Sequence, residues 1–277
     1  MLIDSHAHLN FNAYRHDLDE VIKRQFAGNV WMINVGSKYE TSKKAVEIAE
    51  KYGKGVYAAI GLHPIYSTVG LVKIKTDPEE GNFIAVGEDF DEEKYKELAK
   101  SEKVVAIGEI GLDYYYRPKT KRKLGLFKEK QKEVFLRQLW LARELGLPVI
   151  FHCRMAHDDL LKILKKFQVS SFKLQGVIHC FTGNWEQARE YLDMGFYLGF
   201  NGIIFKLDLD EIIKKTPLER ILVETDCPYL TPPQAKVQRN EPLFVKYIVE
   251  RIAEIKGTDY AKIAKITFSN ARELFKF

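Results

Sequence analysis

Cysteine is scarce in this chain, three among 277 residues, and no two of them form a CxxC pair. Cys153, Cys180 and Cys227 are odd in number and widely spaced, so neither a disulfide framework nor a zinc ribbon is indicated. Each follows by one place a residue with chemistry to offer: His152, His179 or Asp226. On a strand such neighbours point to opposite faces, and all three thiols are expected to be buried packing groups. Long apolar runs are also missing. Nothing approaches the roughly 18–20 apolar residues of a membrane helix, and MLIDSHAHLN lacks the basic start and long apolar segment of a secretory leader. A cytoplasmic protein with no membrane contact is expected. The net charge is only +5, and no block of five or six like charges marks a nucleic-acid tail. An acidic patch, TDPEEG and GEDFDEEKYKE within residues 76–97, is a poor surface for DNA.

What is present is a regular alternation. Short apolar runs of strand type occur at 2–4, 30–36, 56–61, 104–111, 147–152, 176–181, 195–202 and 220–226. Near-continuous apolar strands are those of parallel sheets, buried on both faces. Between them lie helical stripes. Ala45, Ile48, Ala49 and Tyr52 share one face, as do Phe127, Val134, Phe135, Ala142 and Leu145. A third stripe, Val245, Ile248, Val249, Ile252 and Ile255, ends at Gly257, and Gly146 with Pro148 stops the second. With 46% hydrophobic residues and no break in composition, the chain reads as α/β, a single (β/α)8 TIM-type barrel over residues 1–277 with its site at the C-terminal mouth. A doubly wound open sheet is the alternative. The segment from about 70 to 103 is long for one connection, and GNFIAVGEDFD inside it suits a small extra hairpin.

The polar residues gather where such a barrel opens. His6 and His8 follow the first strand, His63 the third and Glu109 lies in the fourth; His152, His179 and Asp226 end the fifth, sixth and eighth. His6 and His8, two apart, face the same way. Singly, each has an ordinary reading: a hydrogen-bonded histidine, a buried ion pair, a helix cap. Together, four imidazoles and two carboxylates at the ends of five strands are costly to bury without positive charge between them. Imidazole with carboxylate suits Zn, Mn, Fe or Co, and carboxylate admits Mg. Six such groups fit two ions sharing a carboxylate, an arrangement suited to metal-assisted hydrolysis.

Assembled, the chain resembles a TatD-type metal-dependent deoxyribonuclease, of the wider metallo-hydrolase barrel superfamily. The likeness runs nearly the full length through DSHAHL (4–9), GLHP (61–64), IGEIGLDYY (107–115), PVIFHCR (148–154), HCFTG (179–183), LGFNG (198–202), VETDCP (223–228) and RNEP (239–242). It implies two divalent ions, Mg, Mn or Zn. His6, His8, Glu109 and Asp226 would hold one; Glu109, as bridge, with His152 and His179 would hold the other. Asp226 would also orient the attacking water and take its proton. His63, Arg154 and Arg239 would face the phosphate, with Tyr114 near the nucleotide. Glu224 and Asp4, each two residues from a ligand, suit supporting positions. Ile65 stands where the family often has another histidine, and Met155 and Ala156 follow HCR where an acidic residue often precedes the alanine.

The implied activity is trimming of single-stranded DNA from 3′ ends, with a shallow loss of binding as salt rises. Hydrolysis of a small phosphoester, lactone or amide at the same site is the alternative, because a barrel does not decide its substrate. No protein partner is indicated, and a monomer or weak oligomer is expected.

Overall fold

Eight parallel strands follow one another around a single sheet in the order β1 to β8. They are β1 Leu2–Ala7, β2 Val30–Val35, β3 Val56–Ile60, β4 Val104–Asp113, β5 Val149–Arg154, β6 Gly176–Ile178, β7 Tyr197–Phe200 and β8 Ile221–Val223. The structure is a computed structural model, described for residues 1–68, 70–72, 78–81, 87–168 and 173–277. Helices of the described residues alternate with the strands: α1 Leu18–Ala27, α2 Tyr39–Tyr52, α3 Glu92–Leu98, α4 Lys121–Leu145, α5 His157–Gln168, α6 Trp185–Asp193, α7 Asp210–Lys215, α8 Val245–Lys256 and α9 Tyr260–Phe275. The hairpin expected in GNFIAVGEDFD rests on residues 82–86, which lie outside the described residues. Among the described residues no helix is long and apolar enough to cross a membrane.

The apolar runs form strands because both faces find cover. Six of the eight strands are buried at every position. Their outward side chains pack with the helices in one large core. A second core joins Ile3, Ile33, Val105, Ile150, Val177 and Leu222 to Leu274 and Phe275 of α9. At the strand starts, Tyr57 stacks on Phe277 at 4.3 Å and Trp31 meets Phe268 at 5.5 Å. The C-terminal helix thus closes the barrel floor with apolar groups and leaves polar chemistry to the opposite mouth. Beyond β1 and β8 the ring is joined by an Ala7–Cys227 bridge, in which Asp226 N donates to His6 O at 2.9 Å and His8 N to Cys227 O at 2.9 Å. The glycine stops hold as expected: Gly146 and Gly257 end α4 and α8 in left-handed conformations, φ 65° and 60°.

Candidate metal centre

Residues of five strands meet at the mouth. His6 lies on β1 and His8 one residue past it; Glu109 is within β4, His152 on β5, His179 just after β6 and Asp226 in the loop after β8. The Nε2 atoms of His6 and His8 are 3.0 Å apart. Glu109 turns one oxygen to His6 and the other to His152 and His179. Oε2 is 3.5 Å from His6 Nε2, while Oε1 is 2.5 Å from His152 Nδ1 and 3.7 Å from His179 Nε2. Asp226 Oδ1 lies 3.4 Å from His8 Nε2 and 3.9 Å from both His6 and His179 Nε2. Two groups able to hold a cation share Glu109: His6, His8 and Glu109, and Glu109, His152 and His179. Asp226 joins His6 and His179 in a third, and His63, Asp113 and His152 form a fourth.

Three of the four rings, all but His6, are turned by a contact at the other nitrogen. His8 Nδ1 lies 2.8 Å from Val35 O, which only accepts, so Nδ1 carries the proton and Nε2 is left bare for a cation. His179 Nδ1 sits 2.8 Å from Glu224 Oε1, off the hydrogen-bond axis, and that oxygen also accepts from Cys180 N at 2.7 Å and Asn201 Nδ2 at 3.1 Å. Glu224 therefore holds the His179 ring and the turn after β6 together. His152 Nε2 faces Asp113 Oδ2 at 3.2 Å, which aims Nδ1 at Glu109. Asp4 accepts from Thr225 N at 2.8 Å and Thr225 Oγ1 at 2.5 Å; it anchors the loop that carries Asp226 rather than touching an imidazole ring. Backbone shape matters as well. Gly111, opposite His152 in the ladder, has φ +151°, and a Cβ there would fall 2.0 Å from His152 O. Only glycine lets β4 and β5 approach this closely between Glu109 and Asp113.

The electrostatics call for positive charge. Burial opposes the ionised forms of Glu109 and Asp226, yet the surrounding imidazoles keep both below the usual carboxylate range. Burial also opposes charge on the rings. Even so, Glu109 and Asp113 lift His152 to about 9, and Glu224 and Asp226 lift His179 to about 10. His63 goes the other way, to about 3, through burial and the neighbouring His152. Without a cation, protons on His152 and His179 offset the carboxylates. A divalent ion would replace those protons among the same donors, so the residues fit a metal.

The TatD related DNase family model matches residues 3–276. This chain belongs to the TatD-related family. It is 43% identical to the Bacillus subtilis uncharacterized metal-dependent hydrolase YabD, covering 100% of this chain and 99% of that one. It is 35% identical to the 3′-5′ ssDNA/RNA exonuclease TatD of Cronobacter sakazakii, with 99% and 97% covered. The crystal structure of YJJV, a TatD homologue of Escherichia coli, superposes with a TM-score of 0.80 at 27% identity, covering 100% of this chain and 98% of that one. The chain is a TatD-family metal-dependent hydrolase with the barrel fold that its strand order shows.

Above the candidate ligands opens a cavity of about 1130 Å³. His63 and Arg154 line it, and His63 Nε2 is 3.8 Å from Glu109 Oε1. Tyr114 lines it too, but its side chain is buried and its hydroxyl donates to Asp159 Oδ2 at 2.9 Å. Arg239 is not brought to the cavity. It pairs with Asp17 through both guanidinium NH2 groups, at 2.8 and 2.5 Å, and lies over the Tyr14 ring. RNEP is thus a loop clamp here, and the partner that commits Arg239 is remote in sequence. Cys153 and Cys227 are buried as expected, whereas Cys180 is half-buried and lines the cavity. Its φ of 45°, beyond the end of β6, breaks the strand alternation on which the expectation rested. Ile65 and Met155 also face the cavity, as does Glu80 of the acidic patch in the long 70–103 connection.

Asp113 was missed, although it stands in IGEIGLDYY; its signal is the two-residue spacing from Gly111, itself two after Glu109. Tyr115 and Tyr116 were missed as well. They are the aromatics that reach solvent beside Arg154, whose guanidinium lies 3.6 Å over the Tyr115 ring centre.

Proposed function

We propose that this chain hydrolyses phosphodiesters with two divalent ions, Mg, Mn or Zn, and trims single-stranded DNA from its 3′ end. The observation carrying the two-ion reading is the division of Glu109, one oxygen towards His6 and the other towards His152 and His179. His6, His8, Glu109 and Asp226 would hold one ion, and Glu109, His152 and His179 the other. Bound ions supply an acidified water and positive charge for the phosphate oxygens.

The side chains do the rest. Asp226 has the most accessible of the candidate carboxylates, with 17% of its side chain exposed against 6% for Glu109. With its pKa held low by His179 and its neighbours against burial, it is ionised and takes the proton of the attacking water. His63 and Arg154, on the cavity wall, orient the phosphate. The 3′-end polarity and the DNA substrate draw on the likeness to the Cronobacter exonuclease. Three free cysteines suit a reducing compartment.

The test compares hydrolysis of a single-stranded oligonucleotide and of bis(p-nitrophenyl) phosphate with each ion, for the wild type and Asp226→Asn. Loss of about 10²–10⁴ in kcat on both substrates is expected for the variant. Equal, metal-independent rates for the two proteins contradict the mechanism. Turnover of the small ester alone points instead to a small-molecule hydrolase at the same site.

A further inference from the structure

We propose that the rim beyond the metal centre, from Tyr115 to Lys123, is a track for the single-stranded polynucleotide behind the scissile bond. The inference rests on the nuclease reading above and extends it to residues outside the metal centre. Its starting point is continuity. Asp113, at the end of β4, faces His152 and accepts from Tyr115 N at 2.8 Å, so the chain passes directly from the centre to the rim. Tyr115 and Tyr116 then line two adjoining spaces: the large cavity and a groove of about 470 Å³. Arg117, Lys119 and Lys123 wall that groove.

Two physical features of the rim require explanation. The first is aromatic. Tyr115 and Tyr116 are 50% and 43% exposed, with rings 4.8 Å apart at 89°, although most large apolar side chains of the described residues are buried. An exposed ring beside an active-site cavity offers a face to an unpaired base, a contact worth roughly 1–3 kcal/mol in other single-strand binders. The second is charge. RPKTKRK, 117–123, holds five cations and no acid. Pro118 and Thr120 interrupt the run, so a search for unbroken like charge overlooks it. Without these five, lysine and arginine equal aspartate and glutamate in number, and the whole net charge of +5 is thus matched by this stretch. All five are exposed, and none forms an ion pair with the described residues. By contrast, Lys96 is shared among Glu92, Glu93 and Glu144.

The placement also opposes local stability. Lys121, Arg122 and Lys123 occupy the first turn of α4, where acidic residues would be favoured and none is present. Helix formation does not select these cations, whereas an anionic partner does. A row of separate cations beside stacking faces fits a strand with repeating phosphates and unpaired bases. A small ester uses neither, a duplex hides its base faces, and an acidic polypeptide has no bases to stack.

The test uses the metal-loaded enzyme and its Lys121→Glu, Arg122→Glu and Lys123→Glu triple variant. Glutamate suits a helix first turn, so the melting temperature should be unchanged or higher. The readout is the ratio of kcat/KM for a single strand of about 20 nucleotides to that for a dinucleotide, followed across salt. The wild type should favour the longer strand at least tenfold, and the variant should lose that preference. Its log–log salt slope should flatten by about 2, from three contacts at about 0.7 each. In parallel, Tyr115→Ala with Tyr116→Ala should slow cleavage of a normal strand more than that of one carrying abasic residues behind the terminus. An unchanged ratio and slope in the triple variant overturn the track, as does equal slowing of normal and abasic strands. A wild type that cleaves dinucleotide and long strand equally well leaves the nuclease reading standing and overturns the track alone. A wild type that cleaves neither overturns both.

Discussion

His157 shows how one buried side chain can leave a mark on the pH dependence of stability. It starts α5, is 7% exposed, and packs against Phe181 and Tyr191, with Nδ1 3.1 Å from the Tyr191 hydroxyl. Its Nε2 is buried without a partner. Burial drives its pKa down to about 4, against an ordinary value of 6.5. The unfolded chain then binds the proton more tightly, so this contribution is full above pH 6.5 and is lost as pH falls towards 4. Between pH 8 and 5 the loss should be about 2 kcal/mol. Urea titrations of the wild type and His157→Gln should show the variant losing that much less over the interval; parallel pH profiles would contradict this. At this scale the sequence was informative about residue type and less so about partners. HxH on a strand announces convergence, and the six candidate ligands meet at one mouth. That Asp113 would face His152, or Asp17 take Arg239, depends on contacts between remote segments, which leave no local pattern.

The strands were readable because burial on both faces writes an apolar run into each. Their ends were less readable. β6 and β8 are three residues each, and His179 and Asp226 lie past them in loops, with Asp226 at φ 56°. What fixes the loop ends is partly α4. Gln131 exchanges two hydrogen bonds with the Asp113 backbone, both 2.9 Å, and Gln138 does the same for Leu62, at 2.7 and 3.0 Å. The glutamines are seven apart, on one helical face, and both are 1% exposed. One helix thereby sets the end of β4 with Asp113 and the loop carrying His63. Gln131→Leu should leave two buried backbone groups unpaired and cost about 2–4 kcal/mol, with kcat falling more than the metal content. Unaltered stability and kcat would show that β4 holds Asp113 by itself. The RNEP loop gives a second test. Arg239→Ala should cost about 1 kcal/mol through the Asp17 pair and leave KM for an oligonucleotide within about threefold. A rise in KM of tenfold or more would return Arg239 to the phosphate.

Across the whole molecule, the two ends of the barrel have opposite characters. Apolar side chains of α9 and the strand starts fill the floor, and the mouth carries buried imidazoles and carboxylates in groups that could hold a cation. That polarity follows from the parallel strand order, since all eight strands deliver their C-terminal ends to one side. Composition foretold a large core and a mild positive excess, but not that the excess would gather at one edge of the mouth. The measurement that bears most directly on the central claim is product analysis of a 5′-labelled single strand, with divalent ion and after chelation. With ion, the label should remain on a ladder of strands shortened progressively from the 3′ end, and chelation should abolish the ladder. Release of a labelled mononucleotide at the outset, or an identical ladder after chelation, would contradict the account.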